Sequence, residues 1–338
     1  MLKFLVFADF HYFKGVYHAP VDSLRKIMAR AATEEVDFVI QMGDFSNHLA
    51  ASPEIIPPYY GNTYGIPVYG IYGNHELEKC GNTMESINET LCNRPVCFGA
   101  EPETDDTGYW YADVKGYRLI GLDTCYMYHR EEDRYYHNSA ETWPFVPGTE
   151  KPNSLGTSQL AWLRVTIADA AEKGLKVLVF SHAALSGLWS SAPDADKARA
   201  IFAEFPGTVT LAVNGHLHTD RLAVRDGVAY FDVNTVHNGY WEPYPEHHYT
   251  PEQTFSYVPY EGGIPGSPEV RPLTSLRQAK NTWFFTEPTS AVVTISETDG
   301  GTDISVDGCE TAWEYGIEPP KDLDGAVYPG IRSRSVKI

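Results

Sequence analysis

Seven side chains with metal-ligating donors stand at the ends of short apolar runs in this chain. Leu5-Val6-Phe7-Ala8 leads into Asp9-Phe10-His11, and Val39-Ile40-Gln41-Met42 leads into Gly43-Asp44. Tyr69-Gly70-Ile71-Tyr72 leads into Gly73-Asn74-His75-Glu76. Leu178-Val179-Phe180-Ser181 precedes His182, and Leu211-Ala212-Val213-Asn214 precedes Gly215-His216-Leu217-His218. Carboxylate, imidazole and amide oxygen are donors suited to Mn, Fe or Zn, and no thiolate joins them. Glycine next to Asp44, Asn74 and His216 lets the backbone turn sharply and approach an ion closely. Each fragment alone is weak. Asp9-x-His11 is common, Gly43-Asp44 is usually a turn, and an isolated His182 is usually a satisfied core residue. In this order, each after an apolar run, they point to one metal site.

The apolar runs are the elements that must carry these groups. Leu2–Ala8, Phe38–Met42 and Pro67–Tyr72 are expected strands. Leu24, Ile27, Met28, Ala31 and Ala32 recur at helical spacing between the first two, with Asp22 and Ser23 available as caps. Trp110–Val114 and Tyr117–Leu122 flank Lys115-Gly116 as a hairpin. A helix opening at Ser158 places Leu160, Leu163 and Ile167 on one face and closes at Gly174. Val177–Phe180, Val209–Val213 and Val228–Val233 are further strands, and Ala291–Ser296 with Asp303–Val306 make a late hairpin through Gly300-Gly301. Alternating strands and helices predict an α/β fold. Open α/β sheets bind ligands beyond the carboxyl ends of their strands, so these five strand ends would deliver their donors to one edge.

The 338 residues, 43% of them hydrophobic, suffice for a large core. Only 26 Lys and Arg face 45 Asp and Glu, for a formal net charge of -19. Nucleic acid and anionic membranes are bound through clustered basic residues, so neither partner is expected. A positive pocket would have to come from bound metal. Five cysteines without a C-x-x-C pair read as reduced thiols, the alternative being a bridge within Cys80–Cys97. The N-terminal residues lack the length and cleavage site of a signal peptide, and no stretch reaches transmembrane length, so a cytoplasmic location is the expectation.

The five blocks Asp9-x-His11, Gly43-Asp44, Gly73-Asn74-His75-Glu76, His182 and Gly215-His216-x-His218 resemble the calcineurin-like metallophosphoesterases. The resemblance spans Asp9 to His218 and leaves the last third without a motif. It implies a four-layer α/β/β/α sandwich of two mixed sheets flanked by helices. It also implies two adjacent divalent or trivalent ions, of Mn, Fe or Zn. Asp9, His11 and His218 would hold the first, Asn74, His182 and His216 the second, and Asp44 would bridge them. His75 would sit beside the phosphate to stabilise charge or protonate the leaving oxygen. Asn47, three residues after Asp44, resembles the cyclic-nucleotide and glycerophosphodiester phosphodiesterase branch. So do Gly121-Leu122-Asp123-Thr124 and Gln159-Leu160-x-Trp162-Leu163.

The expected activity is hydrolysis of a small-molecule phosphoester, a diester before a monoester, with a metal-bridging hydroxide as nucleophile and His75 and Asp44 as catalytic groups. A non-catalytic interaction module of the same fold is the remote alternative; such a protein typically loses ligands, and here all are kept. Candidate substrate contacts are Tyr12, Asn47, His48 and Tyr126; the simpler reading of any single aromatic ring among them is that it packs an insert onto the core. One catalytic domain is expected over residues 1–310, with aromatic-rich inserts near 127–156 and 236–290. Residues 311–338, with Pro319-Pro320, are expected to form an irregular tail. Oligomeric state has no sequence signal.

Overall fold

The structure is a computed structural model. It describes residues 1–12, 21–46, 53–61, 64–77, 101–102, 108–129, 131–137, 149–189, 191–240, 282–316, 318 and 327–338. The chain begins with β1 (Leu2–Phe7), α1 (Val21–Thr33), β2 (Phe38–Gln41), α2 (Ile56–Tyr60), β3 (Val68–Gly70) and α3 (Asn74–Leu77). Next come β4 (Glu101–Pro102), β5 (Trp110–Val114), β6 (Tyr117–Leu122), β7 (Tyr126–His129), β8 (Arg134–His137) and β9 (Thr149–Ser154). They are followed by α4 (Thr157–Glu172), β10 (Lys176–Ser181), α5 (Ala195–Glu204), β11 (Val209–Asn214), β12 (Arg221–Arg225) and β13 (Val228–Asp232). The remaining strands are β14 (Asn238–Tyr240), β15 (Thr282–Phe284), β16 (Ala291–Thr298), β17 (Gly301–Asp307), β18 (Cys309–Glu310), β19 (Gly330–Ile331) and β20 (Arg334–Lys337).

Two mixed sheets carry the fold. One has the order β20-β17-β16-β1-β2-β3 and the other β12-β13-β11-β10-β6-β5-β4. Strands β1, β2 and β3 run parallel, as do β6, β10, β11 and β13. A strand covered on both faces reads as an unbroken apolar run, which is how Phe4–Phe7 of β1 and Val177–Phe180 of β10 read in the sequence. Alternate residues of β1 divide between two cores. Leu2, Phe4 and Val6 face Leu178, Phe180, Leu211 and Val213 of the other sheet. Leu5 and Phe7 instead meet Leu24, Ile27, Met28 and Ala31 of α1. On the far side, Val177 and Val179 pack against Leu160, Leu163 and Ile167 of α4 and Ala198, Ile201 and Phe202 of α5. Helix, sheet, sheet, helix is the four-layer sandwich that the motif resemblance implies.

Local chemistry explains the element ends. Asp22 in the first turn of α1 and Arg30 in its last complement the helix dipole. The α4 helix starts at Thr157 after Gly156 at φ 82°, and the chain leaves it through Gly174 at φ 67°, both conformations that glycine takes at no steric cost. Strand β3 begins at Val68, because Pro67 offers only its carbonyl, which accepts the Val39 amide at 2.9 Å.

Within residues 311–338, where an irregular tail is expected, Arg334–Lys337 form a regular strand. Strand β20 pairs antiparallel with β17, Val306 opposite Arg334 and Ile304 opposite Val336, and forms the edge of the first sheet. Val336 and Ile338 pack onto the core between the sheets, which gives this segment its reason to be ordered. The insert near 127–156 holds a small sheet of its own, in the order β8-β7-β9. Of the insert near 236–290, β14 and β15 pair with each other, and residues 241–281 lie outside the described residues. Cys125 and Cys309 are free thiols, and the Cys80–Cys97 stretch lies outside the described residues. Among the described residues no helix is long and apolar enough to cross a membrane.

Candidate metal centre

The carboxyl ends of β1, β2 and β3 in one sheet and of β10 and β11 in the other meet at one edge of the sandwich. The chain ends run on beside each other after the strands stop. Asp9 N donates to Gly43 O at 3.1 Å, His11 N to Asp44 O at 2.7 Å, and Gly215 N to His182 O at 3.1 Å. At this edge the backbone leaves its usual conformations. Asp9, His11, Asp44, His216 and His218 all have positive φ, between 48° and 68°. Such a conformation costs each non-glycine residue of order 1 kcal/mol or more and persists where the surroundings over-determine it, as functional sites do.

The donor atoms converge. Asp9, His11 and His218 place one donor each within 4.8 Å of one another, and so do Asp44, His182 and His216. His11, Asp44 and His75 form a third such group that joins the two. His218 Nε2 lies 3.3 Å from Asp9 Oδ1, and His182 Nε2 lies 3.3 Å from Asp44 Oδ2. Asn74, buried, opens α3 directly after Gly73. His75 donates its backbone amide to Asp44 Oδ1 at 2.8 Å, and its ring Nε2 stands 3.9 Å from Asp44 Oδ2.

These residues fit a pair of cations. His182 Nδ1–H donates to Met42 O at 2.7 Å, so a neutral His182 points the lone pair of Nε2 at the Asp44 carboxylate. His11 Nε2 and His218 Nε2 face each other at 3.1 Å, and His182 Nε2 and His216 Nδ1 at 3.2 Å. Opposed lone pairs at these distances call for a positive charge between them, a proton or a metal ion. The flanking glycines leave room for the carboxylates: a Cβ at Gly215 would lie 2.7 Å from Asp9 Oδ2, and one at Gly73 would collide with Asp44 Oδ1.

Without an ion, protons take the place of cations. Burial pushes His182 down, but the Asp44 charge and hydrogen bond outweigh it and raise the imidazole to about 10. Burial pushes Asp44 up, and the His182 charge, with His75 and His11, holds it well below the usual carboxylate range. Asp9 follows the same pattern, with His218 overcoming burial and lowering it. His216 is pushed down to about 4, by burial and then by the charge on His182.

Around this ring stands a supporting layer. Glu76 accepts the amides of Asp44 and Gly73 on Oε2, at 2.9 and 2.7 Å, and that of Ser46 on Oε1 at 2.9 Å. It therefore ties the Gly-Asp turn to the Gly-Asn-His turn. Burial and the neighbouring Asp44 raise Glu76 to about 8 against the pull of the Ser46 and Gly73 amides. Asp232 at the end of β13 accepts Asn214 Nδ2 at 2.5 Å and the Thr219 hydroxyl, closing both ends of the loop that carries His216 and His218. Asp220, just beyond, is fully buried and paired with Arg332 and Arg334 of the C-terminal segment. Thr235 donates to Asp9 O at 2.8 Å. Asn153 of β9 reaches across to His216, its amide 3.3 Å from Nε2.

Sequence reasoning singled out the six converging donors Asp9, His11, Asp44, His182, His216 and His218, along with Asn74, His75 and Glu76, and missed Asn153, Asp220, Asp232 and Thr235. Asp232 stands at a strand end like the others, so the same strand-end rule could have found it. Asn153 carries no such signal. Of the expected substrate contacts, Tyr12 packs with Phe10 in the core beside α1, and its hydroxyl donates to Glu54 at 2.7 Å. Tyr126 opens β7 partly buried, and burial and Asp123 push its phenol up. Asn47 and His48 lie outside the described residues.

The calcineurin-like phosphoesterase family matches residues 2–220. Comparison by sequence with curated proteins finds no match. Among solved structures, the chain is similar to a dimetal phosphatase from Danio rerio, at a TM-score of 0.60 and 15% identity over 92% of this chain and 98% of that one. A putative 5′-nucleotidase from Staphylococcus aureus aligns at a TM-score of 0.43 and 14% identity, over 92% of this chain and 53% of that one. The first likeness is one of fold. Matched by the family over more than half its length, the chain belongs to the calcineurin-like phosphoesterases, metal-dependent hydrolases of phosphoesters.

Proposed function

We propose that the chain is a small-molecule phosphodiesterase in which Asp9, His11 and His218 hold one metal ion, Asn74, His182 and His216 hold a second, and Asp44 bridges them. The observation that carries this reading is the convergence of Asp9, His11 and His218, and of Asp44, His182 and His216, into two donor groups at one sheet edge. Such a pair of ions supplies Lewis acidity for the phosphoryl oxygens and a water acidic enough to attack at neutral pH.

The chain's own residues do the rest. Asp9 and Asp44 are buried carboxylates kept ionised by the imidazoles around them, so they stay available as anionic ligands. Met42 O fixes the His182 ring with Nε2 toward the centre. The His75 side chain is 26% exposed, against 7%, 0% and 9% for His11, His182 and His218. It is an imidazole open to an incoming phosphoester, suited to hydrogen-bond a phosphoryl oxygen or give a proton to the departing one. The diester preference rests on Asn47 and on the two blocks at Gly121–Thr124 and Gln159–Leu163. In the fold these blocks bond to each other: Gln159 Oε1 accepts Asp123 N at 2.8 Å, and its Nε2 donates to Asp123 O at 2.6 Å. A phosphomonoesterase would use the same ligands.

The test compares hydrolysis of a nitrophenyl phosphodiester and of the corresponding monoester by Mn²⁺-loaded protein, with a chelated control. Faster diester cleavage that chelation abolishes is the expected result. Preference for the monoester would move the reading to a phosphomonoesterase, and turnover of neither ester would remove it.

A further inference from the structure

Asn153 is held where no regular strand residue would be. Strand β9 pairs with β7 through Tyr126 opposite Ser154 and Tyr128 opposite Glu150, so residues 151–153 bulge opposite Met127 alone. Asn153 takes a left-handed φ of 65°, which asparagine tolerates better than most residues. The chain just beyond it is clamped: buried Asp194 accepts Leu155 N on Oδ1 at 2.9 Å and Gly156 N on Oδ2 at 3.2 Å. The bulge and the clamp together bring the Asn153 side chain to His216 Nε2.

The His216 ring offers two nitrogens to two different surroundings. Nδ1 faces His182 Nε2 at 3.2 Å, inside the donor group, and Nε2 faces Asn153 at 3.3 Å. A neutral imidazole carries one N–H and one lone pair. If Nδ1 is the atom that binds an ion, the proton resides on Nε2 and needs an acceptor. The nearest atom of Asn153 is Nδ2, and a half turn about its terminal bond brings Oδ1 to the same place. His182 uses the same device with the nitrogens exchanged, its Nδ1–H given to Met42 O.

We propose that Asn153, carried by the insert between β7 and α4, is a positioning residue: its amide oxygen accepts the Nε2–H of His216 and so holds the Nδ1 lone pair toward the metal centre. The inference rests on the reading of His216 as a ligand. It ties the insert to the second ion, so that a segment outside the five motifs sets how well that ion is held.

The test uses the full-length chain and three variants. Asn153→Gly removes the amide and keeps a residue at ease with φ 65°; Asn153→Asp keeps an acceptor; His216→Ala removes the ligand. Calorimetric titration of metal-free protein with Mn²⁺ reads the affinity of each ion, and ring ¹⁵N shifts of the metal-free protein read the His216 tautomer. Asn153→Gly is expected to weaken one of the two ions by about 10- to 100-fold and leave the other unchanged. It should also reduce the Nε2–H tautomer of His216, and Asn153→Asp should restore both readouts. Wild-type binding of both ions by Asn153→Gly, with the tautomer unchanged, overturns the inference alone. Wild-type binding by His216→Ala contradicts His216 as a ligand and removes the inference with it.

Discussion

In the proposed reading Asp44 and His75 would divide the work that single residues do at this site. Asp44 is buried, takes the His75 amide on Oδ1 and stands between the two donor groups, whereas the His75 ring reaches solvent. His75→Ala should therefore lower kcat by about 10²- to 10⁴-fold with metal content unchanged. A raised KM at constant kcat would instead make His75 a binding residue. His182 gives a pH prediction. Its imidazole, at about 10, lies above the ordinary 6.5, through the Asp44 charge acting against burial. In metal-free protein the pair with Asp44 stabilises the fold fully from above the lowered range of the Asp44 carboxylate up to pH 6.5, and this contribution is lost as pH rises through about 10. Denaturant unfolding of chelated protein should thus show stability falling over that window. An ion entering at Nε2 must displace the proton, so loading near neutral pH should release protons and affinity should climb with pH. Calorimetry in two buffers of different ionisation enthalpy reads this directly, and metal binding without proton release would contradict the assignment of His182.

Turns and strand ends decide whether those residues meet. A methyl at Gly73 would collide with the Asp44 carboxylate, while one at Gly43, at φ 90°, would lie 2.5 Å from Gly73 N and 2.6 Å from His182 Nδ1. Gly73→Ala should accordingly lower both metal content and thermal stability, whereas Gly116→Ala, where a Cβ meets nothing, should leave metal content intact. The C-terminal segment is tied into the same machinery. Arg332 and Arg334 pair with fully buried Asp220, and Asn234 donates to Tyr328 O and Gly330 O at 2.8 and 2.9 Å. Leaving that carboxylate short of a partner should cost about 3 kcal/mol, read for Arg334→Ala as a lower urea midpoint. This role could not be read from the sequence. The 327–338 segment has no periodic apolar pattern long enough to announce a strand, and its partner Asp220 is 114 residues from Arg334. Helix α5 and strand β12 were legible but not recognised: Ala195, Ala198, Ile201 and Phe202 keep helical spacing, and Asp226-Gly227 marks a hairpin turn. Small alanines make the first signal faint.

The two-sheet architecture explains why so much of the site could be read beforehand. A parallel strand buried on both faces must be an apolar run, and its carboxyl end must face the ligand edge, so Asp9, Asp44, Asn74, His182 and His216 announce themselves by where they fall. Asn153 reaches the site only through a tertiary contact across 63 residues, and a rule based on strand ends cannot find such a group. The net charge of -19 works at the scale of the whole molecule. Cations held by the donor groups at the strand ends would offset local negative charge, so chelation should lower the melting temperature. An ion at 100 times its dissociation constant adds about 2.7 kcal/mol per site. The most direct test of the central claim is to count the metal ions bound per chain in fully loaded protein and in Asp44→Ala. Two ions are expected in the first and loss of tight binding at both positions in the second, since Asp44 would be shared. A single ion per chain, or two ions retained without Asp44, would contradict it.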